Sequence, residues 1–299
     1  LRYFIIMKIL FIGTVLFSKN IFDEIRKSKN TLVGVIGKKN NKFNSDYFDI
    51  TRYAKRLNIN GIYTKNINSK KTISWIREKK PDLIFCIGWN NLIKKEILNI
   101  PSSGIIGYHP SDLPKNKGRH PIIWSLALGL NNIGSSFYFM NEKADNGRVI
   151  SKRILKLTKN SNAYTVYNQL IKIGKKQVRR ILMDLKKNKI RSFKQKKTGQ
   201  NLWRKRNFHD GVIDWRMDAK RIKDLVNALY MPYPGANFIA KGKKIILWKC
   251  KIVSNNVKNI EPGKILNLRN NKPIIKCGSN ALKLEKFEPK LNFKNINYL

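Results

Sequence analysis

The first part of the chain alternates short apolar runs with longer amphipathic segments. The apolar runs predict strands at Lys8–Gly13, Thr31–Gly37, Asp82–Gly88, Gly104–His109, Ser135–Met140 and Arg148–Leu157. The amphipathic segments predict helices at Ser18–Ser28 (with Ser18 as N-cap), Ser74–Lys80, Leu92–Leu98, Pro121–Gly129 and Asn162–Lys187. Strands that alternate with helices form βαβ units, so this pattern predicts an α/β fold with a doubly wound, mainly parallel, Rossmann-like sheet.

The last third of the chain has a different pattern. One helix, Ala219–Leu229, precedes strand-like runs at Asn237–Val253, Gly263–Leu268, Pro273–Gly278 and Ala281–Pro289. Gly and Asn separate these runs at spacings typical of hairpins. We therefore expect a small β-rich domain, a partly open barrel, at 207–299. It would follow an α/β domain at 1–190 and a basic linker at 191–206.

The charge of the chain allows two interpretations. Its 299 residues include 62 Lys and Arg but only 18 Asp and Glu, a formal net charge of +44. Such a balance is typical of proteins that bind nucleic acid. However, Lys and Asn are abundant along the whole chain, so we favour a compositional bias that is spread over solvated faces. Lys186–Arg206 is the densest basic stretch and is expected to be an exposed linker.

Several classes of protein are excluded. The three Cys are far apart and include no CxxC pair, which excludes a disulfide scaffold and fits a reducing compartment. The apolar start, Tyr3–Phe17, contains Lys8 and is shorter than the roughly 18 residues of a membrane span. It predicts a buried first strand, with Met7 as a natural start. We expect a cytoplasmic protein with no membrane partner.

Two side chains are candidates for acid–base chemistry. His109 ends the fourth predicted strand, the position at which α/β enzymes hold reacting groups. Asp145 lies in a turn between two later strands, where a carboxylate also commonly bonds its own backbone. The three His residues show no metal-ligand spacing, so we expect no metal. GxGxxG, GxxxxGK[ST] and GxSxG are all absent from the sequence.

The segment Gly104–Ile150 resembles the core of the folate-dependent formyltransferases. That family has the pattern N-x-H-x-S-L-L-P-x-x-R-G-x-x-P, followed by D-x-G about 36 residues after the His. The positions of this chain that match are His109, Ser111, Leu113, Pro114, Gly118, Pro121, Asp145 and Gly147. Met7–Ile25 resembles the opening strand and helix of the family. Segments from Lys205 to Glu285 resemble the carboxyl-terminal domain that is shared by methionyl-tRNA formyltransferases and the bifunctional polymyxin-resistance enzyme.

The resemblance implies transfer of a formyl group from 10-formyltetrahydrofolate to an amine. His109 would be the proton shuttle, because an imidazole can gain and lose a proton near neutral pH, and Asp145 would orient the ring. Gly107 stands where the family has an Asn that helps to stabilise the oxyanion. Loss of one such donor costs roughly 2.7–4 kcal/mol. The residues that would line the folate pocket are Asn91, Leu92, Ile93, Arg119, Asn141, Glu142, Lys143, Ala144 and Asp145.

The acceptor is the open question within this family. The loop Gly37–Ile50 lacks the glycine- and arginine-rich insertion of the tRNA enzymes, and Gly118–Pro121 is similar to the Gly-Arg-x-Pro of the sugar enzymes. We therefore expect a nucleotide-linked amino sugar, with Phe43–Asp49 as a candidate contact. Methionyl-tRNA is the alternative, and it would use the positive charge. A non-catalytic folate- or nucleic-acid-binding relative is a second alternative, because Gly107 replaces the family Asn.

Overall fold

A computed structural model describes residues 6–39 and 45–299. The strands are β1 (Lys8–Gly13), β2 (Thr31–Gly37), β3 (Gly61–Tyr63), β4 (Leu83–Ile87), β5 (Ile105–His109), β6 (Lys117–Gly118), β7 (Asn132–Phe139), β8 (Val149–Lys156), β9 (Leu202–Trp203), β10 (Ala236–Ala240), β11 (Lys243–Val253), β12 (Ile265–Arg269), β13 (Lys272–Lys276) and β14 (Ala281–Glu288). The α-helices are α1 (Leu16–Arg26), α2 (Ile50–Arg56), α3 (Lys70–Glu78), α4 (Lys95–Leu98), α5 (Pro121–Ala127), α6 (Ala163–Lys186) and α7 (Ala219–Ala228).

Seven strands form the first sheet, in the order β3-β2-β1-β4-β5-β7-β8. The pairs from β3 to β5 are parallel, whereas β7 runs antiparallel to β5. The mainly parallel sheet predicted from the sequence is confirmed. Strand order reverses between β1 and β4, so ligands of such a sheet bind beyond the carboxyl ends of these strands.

The central strands are buried because helices cover both faces of a parallel sheet. All five β1 residues after Lys8 are buried, as is every residue of β4. This double burial explains why these strands are continuous apolar runs in the sequence. Helix α1 buries Ile21, Phe22 and Ile25, which recur at helical spacing.

Some predicted boundaries are wrong. Helix α1 begins at Leu16, so Ser18 is not its N-cap. Instead the Ser18 hydroxyl accepts a hydrogen bond from the Val15 amide and donates one to the Ile87 carbonyl at 2.7 Å. Helix α3 begins at Lys70, four residues before the predicted start, because Ser69 caps it by accepting from the Thr72 amide. The sequence patterns missed α2 and β3 entirely.

A second, antiparallel sheet has the order β10-β11-β14-β13-β12. It confirms the β-rich carboxyl-terminal region. The predicted single run Asn237–Val253 is two strands, separated by a turn in which Lys241 and Gly242 both have positive φ. A short parallel pair, β6 with β9, forms a third sheet.

The described residues group into two compact units, each discontinuous along the chain. The first contains the seven-stranded sheet and takes its residues from Leu1–Gly118, Ile133–Leu155 and Asn168–Trp203. The second contains the antiparallel sheet and consists of Arg119–Asn132, Lys156–Tyr167 and Arg204–Leu299. The domain boundaries proposed from the sequence, 1–190, 191–206 and 207–299, stay a prediction.

Candidate active site

His109 is the last residue of β5, and its side chain is only 6% exposed. Its Nδ1 atom lies 3.6 Å from Oδ1 of Asp145. Its Nε2 atom lies 3.0 Å from the backbone oxygen of Asn116. A carbonyl oxygen can only accept a hydrogen bond, so Nε2 carries a proton in this arrangement. The structure thus brings together the two residues that the sequence proposed as a proton-transfer pair.

Asp145 is fixed from several directions. Its Oδ1 accepts a hydrogen bond from the Tyr138 hydroxyl at 2.9 Å, and its Oδ2 accepts one from the Gly118 amide at 3.3 Å. The Gln195 side-chain amide donates to the Asp145 backbone oxygen at 2.9 Å. Asp145 has a φ of 52°, a left-handed conformation that Asp tolerates better than most residues. These contacts hold the carboxylate in one orientation toward His109.

The loop that follows β5 is shaped by close backbone packing. The Ser111 hydroxyl donates to the Lys115 carbonyl at 3.0 Å, and the Ser136 hydroxyl donates to the Ser111 carbonyl at 2.6 Å. Gly118 has a φ of 98°, and a Cβ there would lie 2.3 Å from the Trp203 carbonyl oxygen. Only glycine can therefore bring this backbone amide to Asp145.

Lys117 is a buried cation at this site, and it was not among the residues proposed from the sequence. Its ammonium donates to Oδ1 of Asn146 at 2.9 Å and to Oε1 of Gln200 at 3.3 Å. Burial lowers the pKa of Lys117, and the negative charge of Asp145 partly opposes that shift. The motif offered a signal, because the family pattern has an Arg at this position. The sequence gives no indication that the side chain is buried.

Gly107 lies on the same strand as His109, two residues earlier, and pairs with Tyr138 across the β5–β7 ladder. A Cβ at Gly107 would lie 2.9 Å from Cγ of Met140 and 3.0 Å from Cζ of Tyr138. Real Cβ atoms almost never approach other atoms so closely. The space that a side chain at 107 would need is thus already occupied.

The predicted folate residues fall in different environments. Asn91 accepts a hydrogen bond from the Lys38 ammonium, Leu92 is 59% exposed, and Ile93 is buried. The Lys38 ammonium also bonds Asn90 and lies 4.7 Å from the centre of the Trp89 ring. These residues follow β2 and β4 at the carboxyl ends of the strands. Lys38 and Trp89 were not among the residues proposed from the sequence.

The remaining predicted residues are placed as follows. Asn141, Glu142, Lys143 and Ala144 form the loop that leads from β7 to Asp145, and Asn141 accepts a hydrogen bond from the Lys143 amide at 3.1 Å. Arg119 belongs to the second compact unit. Of the candidate contact Phe43–Asp49, Phe43 and Asn44 lie outside the described residues.

Residues 6–39 and 45–299 contain neither a metal-binding cluster nor a membrane-spanning helix. No group of three or more His, Cys, Asp or Glu side chains within them is arranged to hold a metal ion. No helix in that part of the chain is both long and apolar enough to cross a membrane.

Both halves of the chain match family models. Residues 7–182 match the model described as formyl transferase, and residues 207–294 match the formyl transferase C-terminal domain. The chain therefore belongs to the folate-dependent formyltransferase family, as the motif indicated.

Two curated relatives are similar in sequence. The chain is 34% identical over 222 residues to the bifunctional polymyxin resistance protein ArnA of Wigglesworthia glossinidia brevipalpis. That match covers 74% of this chain but only 33% of the relative. The chain is also 30% identical over 217 residues to a methionyl-tRNA formyltransferase of Caldanaerobacter subterraneus subsp. tengcongensis, covering 73% of this chain and 69% of the relative.

A solved structure shares the fold. WlaRD, a sugar 3N-formyl transferase crystallised in the presence of dTDP and 5-N-formyl-THF, superposes with a TM-score of 0.71 at 17% identity. The match covers 96% of this chain and all of that one. At this identity the similarity establishes the fold alone.

Proposed function

We propose that this chain transfers a formyl group from 10-formyltetrahydrofolate to the amine of a nucleotide-linked amino sugar. The observation that carries the proposal is the pairing of His109 with Asp145 at the carboxyl end of β5, inside a formyltransferase motif. WlaRD, which shares the fold, is named a sugar formyltransferase and was crystallised with dTDP and a formylated folate. A cytoplasmic location stays a prediction from the sequence.

The chemistry assigned to His109 is proton transfer. The acceptor amine must lose a proton as its nitrogen bonds to the formyl carbon, and the folate nitrogen must gain one as its bond to that carbon breaks. An imidazole suits both steps because it accepts and returns a proton near neutral pH. For Nε2 to accept the amine proton, it must first release the proton that it donates to the Asn116 carbonyl oxygen, and the amine nitrogen must replace that oxygen as its partner. The remaining ring proton then lies on Nδ1, which faces Asp145.

The assigned role of Asp145 is to orient the ring and stabilise its protonated form. The carboxylate is partly buried beside Nδ1 and is itself held by the Tyr138 hydroxyl and the Gly118 amide. A fixed carboxylate does not need to reorganise when the ring becomes charged. That pre-organisation is the main contribution of such groups to catalysis.

The residues after β2 and β4 fit a folate. Its bicyclic ring contains a flat pyrimidine ring with a polar edge, so it needs an apolar face and several hydrogen-bonding groups. Trp89 offers an indole, and its Nε1 atom is buried with no hydrogen-bond partner in the part of the chain that the structure describes. Asn91 and Lys38 lie beside it and offer an amide and a cation. A buried donor without a partner is costly, so this group favours a ligand that accepts from it.

Methionyl-tRNA is the second candidate acceptor. The sequence similarity to a methionyl-tRNA formyltransferase and the net charge of +44 both favour it. The fold is compatible with either acceptor, so the choice depends on an assay.

The test is a transfer assay read by mass spectrometry. The purified chain is incubated with 10-formyltetrahydrofolate and UDP-, dTDP- or GDP-linked amino sugars, and with methionyl-tRNA in a parallel reaction. We expect one sugar to gain a formyl group, and His109→Ala to abolish the gain. His209→Ala is the matched control, because His209 is exposed and lies in the second unit. Formylation of methionyl-tRNA alone would replace the sugar with tRNA. Folate binding without any transfer would favour the non-catalytic relative.

A further inference from the structure

Gly107 and Tyr138 are directly opposite each other on the antiparallel strands β5 and β7. Side chains at opposed positions point to the same face of a sheet, with their Cβ atoms about 4.5–5.5 Å apart. The Tyr138 ring leans into the space above Gly107, so that Cζ and the hydroxyl oxygen would lie 3.0 and 3.1 Å from a Cβ there. The ring is 5% exposed and packs in a small core cluster with Leu113 and Val149. Gly107 is therefore the residue that admits this ring.

The Tyr138 hydroxyl contacts the carboxylate of the proposed proton-transfer pair. It donates to Oδ1 of Asp145 at 2.9 Å, the same oxygen that lies 3.6 Å from Nδ1 of His109. Burial, together with the neighbouring charge of Asp145, raises the pKa of Tyr138 well above its usual value. The hydroxyl therefore stays protonated at neutral pH and donates to the carboxylate.

We propose that Tyr138 is a positioning residue for the formyl transfer: its ring fills the space opened by Gly107, and its hydroxyl holds the Asp145 carboxylate against His109. This inference rests on the proposed function and adds a residue to the proposed machinery. It also gives the departure at Gly107 a physical reason. A side chain at 107 and a tyrosine at 138 would occupy the same space. Glycine at 107 leaves that space to Tyr138, whose hydroxyl bonds Asp145 from the neighbouring strand β7.

Two variants, each of which removes one tyrosine hydroxyl, test the proposal. In Tyr138→Phe we expect kcat to fall about tenfold or more, because a hydrogen bond to a charged group is lost. We expect KM for both substrates to stay within about twofold, because the hydroxyl acts through Asp145 and not on the substrates. Tyr108→Phe is the matched control. Its hydroxyl lies in the same sheet but accepts from Ser135, and we expect normal kcat.

The shared volume is tested by a double-mutant cycle. Gly107→Asn alone should lower kcat, because its Cβ meets the Tyr138 ring. The same substitution in a Tyr138→Ala background should be less harmful, because the ring is gone and only the flexible Met140 side chain, whose Cγ lies 2.9 Å from that Cβ position, has to shift. Equal effects in both backgrounds, or a higher kcat in Gly107→Asn alone, would overturn the shared-volume argument. If Gly107→Asn does not fold, Tyr138→Phe still decides the positioning role.

A spectroscopic measurement keeps this inference distinct from the proposed function. Nitrogen NMR of the imidazole rings reports on His109 whether or not transfer occurs, and His109→Ala assigns its signals. We expect Tyr138→Phe, but not Tyr108→Phe, to shift the His109 ring signals. If the signals shift in a chain that formylates nothing, the proposed function is wrong but the Tyr138–Asp145–His109 linkage is supported. Unshifted signals with normal kcat would overturn the linkage itself.

Discussion

Nδ1 of His109 and Oδ1 of Asp145 lie 3.6 Å apart, although the two residues are 36 positions apart in the chain. The antiparallel pairing puts Phe139, at the end of β7, opposite Ile106, near the start of β5. The loop after β7 therefore has to run back toward the carboxyl end of β5 for Asp145 to contact His109. The motif therefore describes one compact site folded from two distant segments.

Replacing the Asp145 carboxylate with an amide tests its charge. Asp145→Asn keeps the size of the side chain and can still accept from Tyr138, but it cannot stabilise a protonated imidazole. We expect kcat to fall at least about 100-fold, within the range of acid–base catalysis, while folate binding stays within about threefold. Steady-state kinetics and a fluorescence titration with folate measure the two effects. Asp214→Asn, which removes an exposed carboxylate paired with Arg216, should change neither. Unchanged turnover in Asp145→Asn would remove this residue from the mechanism.

Gly147 is predicted to be intolerant of any side chain. A Cβ at this position would lie 1.6 Å from the Phe139 carbonyl oxygen, which is backbone and cannot move aside cheaply. Gly147→Ala should lower the free energy of unfolding by about 3 kcal/mol. Gly242→Ala is the control: Gly242 has a φ of 68° but no heavy atom of the described chain lies within 4 Å of its Cβ position. It should lose only about 1 kcal/mol, from backbone strain. Urea unfolding of both variants checks the difference, and equal losses would contradict the steric argument.

We predict that Asp210 makes the free energy of unfolding depend on pH. Hydrogen bonds from Arg204, and from the Asn207 amide at 2.7 Å, hold the pKa of Asp210 well below its usual range. A carboxyl whose pKa is lower in the folded chain stabilises it above the unfolded pKa of about 3.9, and that contribution is lost as pH falls below this value. Asp210→Asn should therefore cost roughly 1–2 kcal/mol at pH 7 and progressively less below about pH 4.

Unfolding by urea at several pH values tests this dependence. Asp184→Asn is the control, because Asp184 pairs with the exposed Arg180 on one face of α6 and should contribute under 1 kcal/mol. A difference between wild type and Asp210→Asn that stayed constant down to pH 2 would contradict the assignment.

The central strands were predictable because burial on both faces leaves a clear signal. Lys8–Gly13 and Thr31–Gly37 have the predicted bounds, since each apolar run ends at a glycine. Gly61–Tyr63 was missed because three residues are too few to show a period. Ile50–Arg56 was missed because it buries only part of one face.

The site was predictable only in part. His109 and Asp145 were identified from the motif, but their contact depends on strand pairing that no local pattern encodes. Gln195 is buried and bonds the Asp145 and Gly147 carbonyls, yet it lies within a stretch so basic that it predicts an exposed linker. Lys117 stands at a basic position of the motif, but its burial could not be predicted, because the sequence does not distinguish one buried lysine among many exposed ones.

The pairing of Gly107 with Tyr138 also sets the order in which this pocket can change over generations. A side chain gained first at 107 enters a filled volume, whereas shrinking residue 138 first leaves a cavity that costs a few kcal/mol but keeps the backbone in place. The accessible evolutionary route therefore begins at 138. Descendants of this chain that regain a side chain at 107 should carry a small residue at 138. The two positions should therefore covary.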